Sequence, residues 1–260
     1  MTNLRKVNNI DEVALIAGGA SEIGVHAAVA LTERGARVAI FDHDPQAVSD
    51  VIGQLQARGA RAIGLVGHAH IAADVATAVK ETVSQFGRIT TVVISSTLRT
   101  PGEVHRLEES EWTRCIEANL TSAYLVAKNA IPHLLQGGGS FVAVSARGSV
   151  AGLQGSPAAS AAMHGLVGLI KTMALDYARQ GIRCNIVSCG VVDPMTENPH
   201  DGTHQNTFQL SRTPLGRAGT AMDVANLIAH LTSQEATFTS GAVQVLDGGM
   251  TAGYLNAKVD

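Results

Sequence analysis

Residues 13–24 read VALIAGGASEIG. The run Val13 to Ala17 is a short apolar strand. Gly18 to Ser21 form a tight glycine-rich turn, and a helix continues from there to about Arg34. Outward from this stretch the same alternation repeats to the end of the chain. Further strands are expected at Val38 to Phe41, Ala62 to Val66, Ile89 to Ile94, Ser140 to Ser145, Arg183 to Ser188 and Val243 to Leu246. A helix from Pro45 to about Arg58 has proline in its first turn, and one from Ala72 to Phe86 has Gly87 as its stop. Others are expected at Glu109 to Leu135, Pro157 to Arg179 and Met222 to Leu231. Continuous Val/Ile/Leu strands alternating with helices predict a parallel sheet covered on both faces, an α/β doubly wound architecture.

The 260 residues, 45% hydrophobic and 16% charged, suffice for a single domain with a large core. A net charge of −3 supplies no basic field, so nucleic acid is not an expected partner. Cys115, Cys184 and Cys189 lack metal or redox spacing and read as free thiols of a reducing compartment. The ten histidines carry no ligand spacing, so no metal is expected. No signal core opens the chain, and no apolar run nears the roughly 18 residues of a membrane span. A cytoplasmic protein without membrane contact is the expectation. Asp193 to Arg212 is the longest polar stretch and reads either as a mobile lid or as a plain surface loop.

A glycine-rich turn between a first strand and a first helix is where an α/β sheet receives a dinucleotide, its pyrophosphate facing backbone N–H groups and the helix N-terminus. Gly18, Ser21, Ile23 and Gly24 are the candidate binding residues of the turn. Asp42, closing the second strand, is placed to accept hydrogen bonds from ribose hydroxyls, which favours NAD over NADP. Glu22 opposes this assignment. A carboxylate ~5 Å from a phosphate costs on the order of 3 kcal/mol at an effective dielectric of ~20. NAD is therefore expected to bind weakly or not at all.

In combination, several ordered segments resemble the short-chain dehydrogenase/reductase family over essentially the whole length. They are AGGASEIG, FDHD, FGRI, EANLTSAYLVAKNAIP, the run GLVGLIKTMALDYARQGIRCNIVSCGVVDPM, TPLGRAGTAMDVANLIAHL and SGAVQVLDGG. The resemblance implies a Rossmann-type sheet of about seven parallel strands, and dimers or tetramers packed through two long helices and the C-terminal region. It also implies a mechanism that needs a tyrosine as acid or base, a lysine four residues later, a serine thirteen residues before the tyrosine, and an asparagine in the long helix. The run His164 to Leu169 resembles the residues that follow the family lysine. That register places Met163 at the lysine position, Ala159 at the tyrosine position and Ala146 at the serine position. Asn119 is retained. His68 stands where the family has an aspartate near the adenine, and Ile94-Ser95-Ser96-Thr97 replaces its Asn-Asn-Ala-Gly turn.

Loss at the chemistry with retention at the scaffold is the pattern of a non-catalytic subunit. The resemblance includes hetero-oligomers of one active and one inactive member, among them dehydrogenases that oxidise a hydroxyacyl-CoA in aromatic degradation. An active NAD-dependent subunit of the same fold is therefore the expected partner, with a homo-oligomer as the alternative. Two other readings stay open. One is an isomerase, lyase or dehydratase built on Arg147, His164, Arg99 or His105. The other is an NAD(H) oxidoreductase with an atypical site, in which Ser145 could take the serine role.

Overall fold

The computed structural model describes residues 12–95, 97–192 and 211–253. Seven strands form one parallel sheet in the order β3-β2-β1-β4-β5-β6-β7. They are β1 (Val13–Ala17), β2 (Arg37–Asp42), β3 (Ala62–Val66), β4 (Thr91–Ile94), β5 (Gly139–Ala146), β6 (Ile182–Cys189) and β7 (Val243–Leu246). The helices are α1 (Glu22–Glu33), α2 (Pro45–Ala57), α3 (Ala72–Phe86), α4 (Glu109–Ile116), α5 (Ser122–Leu134), α6 (Pro157–Tyr177) and α7 (Ala221–Thr232). The order turns back between β1 and β4, and this reversal makes the crevice at their C-terminal ends the ligand-receiving point of such a sheet.

The central strands are buried on both faces, and the two-residue period divides their side chains between two cores. Val13, Leu15, Phe41, Val92 and Phe141 pack with Val75 and Val79 of α3, Val126 and Ala130 of α5, and Leu166 and Ile170 of α6. Ala14, Ile16, Val38, Ile40, Val93 and Val142 pack on the other side with Leu31 of α1, Val51 and Leu55 of α2, and Val224 and Ile228 of α7. Helix ends follow local chemistry. Ser21 caps α1 by accepting from the Gly24 amide, and Asp44 caps α2 by accepting from the amides of Gln46 and Ala47. Gly87 ends α3 in the left-handed region at φ 83°, which glycine adopts without a Cβ clash.

One expectation needs correction. The helix expected from Glu109 to Leu135 is interrupted by a π turn, Glu117–Thr121, between α4 and α5. One residue is inserted there without breaking the apolar pattern, so periodicity does not register it. Helix α6, with the turn that extends it to Gln180, is long and apolar enough by composition to cross a membrane, at a mean hydropathy of 1.3. Its apolar character comes from Leu, Ile, Val, Met and Ala interrupted by Ser, His and Lys, so no continuous apolar run of spanning length is present, as the sequence led one to expect. One face of this helix lies in the core through Leu166, Ile170 and Met173. The lid or loop expected at Asp193 to Arg212 falls, except for its last two residues, outside the described residues.

Candidate functional site

The glycine turn has the geometry expected of it. Gly18 is at φ 72°, and its amide donates to the Phe41 carbonyl at 2.9 Å. A Cβ on Gly24 would lie 2.4 Å from the Gly18 carbonyl oxygen and 2.7 Å from the Gly19 Cα. Helix α1 therefore rests directly on the turn, and only glycine fits at position 24. The Ser21 hydroxyl donates to the Gly18 carbonyl at 2.6 Å and lies 3.1 Å from the Ser95 hydroxyl, which joins the turn to the end of β4. Ile23 is half-buried against the α1 side of the core.

Asp42 is turned back onto this turn. Its carboxylate accepts from the Ala20 amide at 3.0 Å, from the His43 amide at 2.7 Å, and contacts His43 Nδ1 at 2.8 Å. A carboxylate has about four acceptor sites, and three are engaged here. Glu22 opens α1, where a negative charge complements the helix dipole but occupies the end that an anionic ligand would face. Beyond Asp42, the rings of His43 and His68 stack at 5.6 Å, and His70 follows at 5.3 Å from His68. Among the described residues no group of three or more His, Cys, Asp or Glu side chains forms a metal site.

At the C-terminal end of β5 the positions assigned to acid-base chemistry converge. Ala159 (0% exposed) and Met163 (3% exposed) form one apolar cluster with Cys115 and Ala158, against which Leu107, Ala146 and Leu153 pack. Seventeen positions of chain separate Ala146 from Met163, so their meeting is a property of the fold. The packing is close: a Cβ on Gly148 would lie 2.7 Å from Met163 Sδ and 2.9 Å from Leu153. The nearby hydroxyls are spent on one another. Ser149 Oγ donates to Ser188 Oγ at 2.9 Å and lies 3.0 Å from the Ala146 carbonyl. Ser145 is buried with no partner for its hydroxyl.

Asn119 has a structural task. Its Nδ2 donates to the Leu98 carbonyl at 2.7 Å and to the Cys115 carbonyl at 2.8 Å, and its Oδ1 accepts from the Leu98 amide at 2.9 Å. It clamps the loop after β4 onto the π turn. That loop is also fastened to the one before α6. The Gly102 amide donates to the Gly155 carbonyl at 2.9 Å, and Arg99 Nε donates to Ser156 Oγ. Sequence reading missed Leu107, Leu153 and Cys115 as the walls of this cluster. They lie in loops or on a short helix, where no periodicity marks an inward-facing residue. An open, largely apolar pocket of about 450 Å³, lined by Val104, Leu107, Glu109, Trp112 and Pro157, lies beside the cluster.

The groups considered for other chemistry are dispersed. The His105 side chain is 70% exposed beside Glu103, and His164 is exposed on α6 with Nδ1 2.9 Å from the Ser160 carbonyl. Ser160 accepts from the Leu153 amide at 3.0 Å. Arg99 serves the loop contacts above. Arg147 alone is half-buried at the end of β5. The thiol of Cys189, at the end of β6, is pushed up to about 12 by burial and is inert at neutral pH.

The family profile described as Enoyl-(Acyl carrier protein) reductase matches residues 18–251. The chain belongs to the short-chain dehydrogenase/reductase family. It is 32% identical over 241 residues to (2S)-[(R)-hydroxy(phenyl)methyl]succinyl-CoA dehydrogenase subunit BbsD of Thauera aromatica, covering 92% of this chain and 96% of that one. It is 34% identical over 246 residues to cis-4-hydroxycyclohexanecarboxylate dehydrogenase of Sinomonas cyclohexanicum, covering 93% and 97%. Among solved structures, the crystal structure of gox2181 superposes with a TM-score of 0.88 at 25% identity, covering 95% of this chain and 98% of that one.

Proposed function

We propose that this chain is a non-catalytic subunit of the dehydrogenase family. In this reading it assembles with, and stabilises, an active NAD-dependent alcohol dehydrogenase subunit of the same fold. The observation that carries the reading is the closed apolar cluster of Ala146, Ala159, Met163 and Cys115. Proton transfer to or from an alcohol needs a titratable group within hydrogen-bond reach of the reacting oxygen. Methyl groups and a thioether supply none. On the nucleotide side the turn and Asp42 fit the adenosine half of NAD. Met163 brings no cation to the nicotinamide ribose, and Glu22 adds negative charge at the pyrophosphate. NAD binding is therefore weak or absent, and NAD is preferred over NADP wherever either binds.

The scaffold surfaces support the assembly. Helices α5 and α6 turn Tyr124, Gly168, Lys171 and Leu175 outward, and Gly168 has open space where a Cβ would stand. Alanine and glycine along α6 permit close approach of a second helix pair. The Thauera relative is by name one subunit of a dehydrogenase, and its substrate is an alcohol on an acyl-CoA. The active partner here is assigned the same class of substrate, a secondary alcohol on an acyl thioester or a ring carboxylate.

The test is native mass spectrometry of the chain expressed alone and together with dehydrogenases encoded beside it, alongside turnover and thermal shift with NAD. A mixed oligomer is expected, together with no alcohol oxidation by the isolated chain and no rise in Tm at millimolar NAD. A rise of several degrees with NAD, or turnover by the isolated chain, overturns the reading.

A further inference from the structure

Five arginines are half-buried among the described residues: Arg34, Arg37, Arg147, Arg183 and Arg217. Four of them spend guanidinium N–H groups on oxygen. Arg34 donates to the Ala229 carbonyl at 2.7 Å, Arg37 to the Phe86 carbonyl at 3.1 Å, and Arg183 to the Ser233 carbonyl at 3.0 Å. Arg217 is paired with Asp223 at 2.9 Å. Arg147 differs from all four. Among the described residues its hydrogen-bond partner is the thioether of Met250, 3.1 Å from Nη1. A thioether is a weak acceptor, and a guanidinium carries five donors and a full charge. Withdrawing a cation partly from water without an oxygen partner costs free energy that the protein does not recover from this contact.

The position of Arg147 gives the unpaired charge a use. It follows the last residue of β5 and reaches to Met250, just beyond the end of β7. Strand β6 lies between those two strands, so the side chain spans the C-terminal ends of three adjacent strands. That edge lies on the carboxyl-end side of the sheet, the side on which open α/β sheets take their ligands, and begins one strand beyond the β1/β4 crevice. Both anchors of the span are fixed. Arg147 begins a 3-10 turn, whose Ser149 is bonded to Ser188 of β6. The turn that carries Met250 is held by Asp247, which accepts from the Gly249 and Thr251 amides at 2.9 and 2.8 Å. The guanidinium is thus positioned in advance, half-buried and with no oxygen partner among the described residues.

We propose that Arg147 is the anchor of an oxyanion-binding site at the C-terminal edge of β5, β6 and β7, taking a carboxylate or phosphate group of a small molecule. The planar fork of arginine accepts two oxygens of either group side by side, which the point charge of lysine does not. The site requires no catalysis and stands apart from the subunit reading: an active or an inactive chain could carry it.

The test uses the full chain and two probes, succinate and inorganic phosphate, in calorimetric titration and thermal shift at constant ionic strength. At a probe concentration tenfold above Kd the wild-type Tm is expected to rise by about 3 °C. Response to succinate alone marks a carboxylate site, and response to phosphate alone or to both extends it to phosphates. Arg147→Gln is expected to abolish the response, and Arg147→Lys to weaken it at least tenfold. No binding of either probe by the wild type overturns the proposal without reference to any variant. An equal shift in folded Arg147→Gln overturns it as well, because that is a general salt effect. Turnover and mixed-oligomer assays are scored separately, so failure here and failure of the subunit reading are distinguishable.

Discussion

Met163 shows at the scale of one residue how the end of β5 is packed. Its thioether lies against Gly148, and its neighbours Ala158, Ala159 and Cys115 have no exposed surface. A lysine there would leave an ammonium among methyl groups with no carboxylate or phenol to receive it. Met163→Lys is therefore expected to cost on the order of 3 kcal/mol of unfolding free energy at pH 7, read by urea denaturation. The deficit has a definite pH dependence. Burial disfavours the charged form, so the folded-state pKa falls below the unfolded value of about 10.4. Between those values the unfolded chain binds more protons, and stability rises with pH. The deficit should narrow as pH approaches 10, and a deficit independent of pH would show that the lysine escapes to solvent.

Individual elements show where local chemistry and tertiary packing divide the work. Helix α7 begins with a capping box: Thr220 Oγ1 accepts from the Asp223 amide, and Asp223 Oδ2 accepts from the Thr220 amide. The same carboxylate accepts from Arg217 at 2.9 Å, and this bond, against the opposing effect of burial, holds Asp223 below the ordinary carboxylate value of 3.8. A depressed folded-state pKa contributes stability that is full above the unfolded pKa and is lost as pH falls through the folded one. Asp223→Asn should therefore lower the denaturation midpoint at pH 7, and the gap to wild type should close only below about pH 4. The α7 start was legible to within a residue, Met222 expected and Ala221 observed, while the cap itself was not read. The π turn at Asn119 was not legible either, and the bonds of that asparagine to the distant Leu98 backbone are visible only in the fold.

At the scale of the whole molecule, helix α6 has two unlike faces. One supplies Leu166, Ile170 and Met173 to the core. The other presents Gly168 and Leu175, the latter 82% exposed. The subunit reading requires that outward face for association. Leu175→Glu is accordingly expected to abolish the mixed oligomer in native mass spectrometry. The unfolding free energy of the isolated chain should change by about 0.5 kcal/mol or less, as for other exposed substitutions. Assembly that survives this change would move the interface elsewhere.

The strand β1 and the helix α3 were readable to the residue, because a buried parallel strand is a continuous apolar run and helices carry their own stop signals; the edge strands β3 and β7, only partly buried, were readable to the residue as well. The glycine turn was readable because its backbone needs glycine at positions 18 and 24 whatever surrounds it. The absence of tyrosine and lysine at positions 159 and 163 is equally a fact of sequence. What replaced them was not legible. Leu107, Leu153 and Cys115 come from three separate segments, and only packing shows that they close over Ala159 and Met163. The same holds for Asp42, whose bond to the Ala20 amide only the fold shows, and for Arg147, whose lack of an oxygen partner among the described residues is a statement about space. Sequence by itself determined the sheet and the turn, since each follows from local backbone and side-chain chemistry. Tertiary structure alone decided what packs around Ala159 and Met163 and which half-buried arginine lacks an oxygen partner among the described residues, because both depend on residues far apart in the chain meeting at one edge of the sheet.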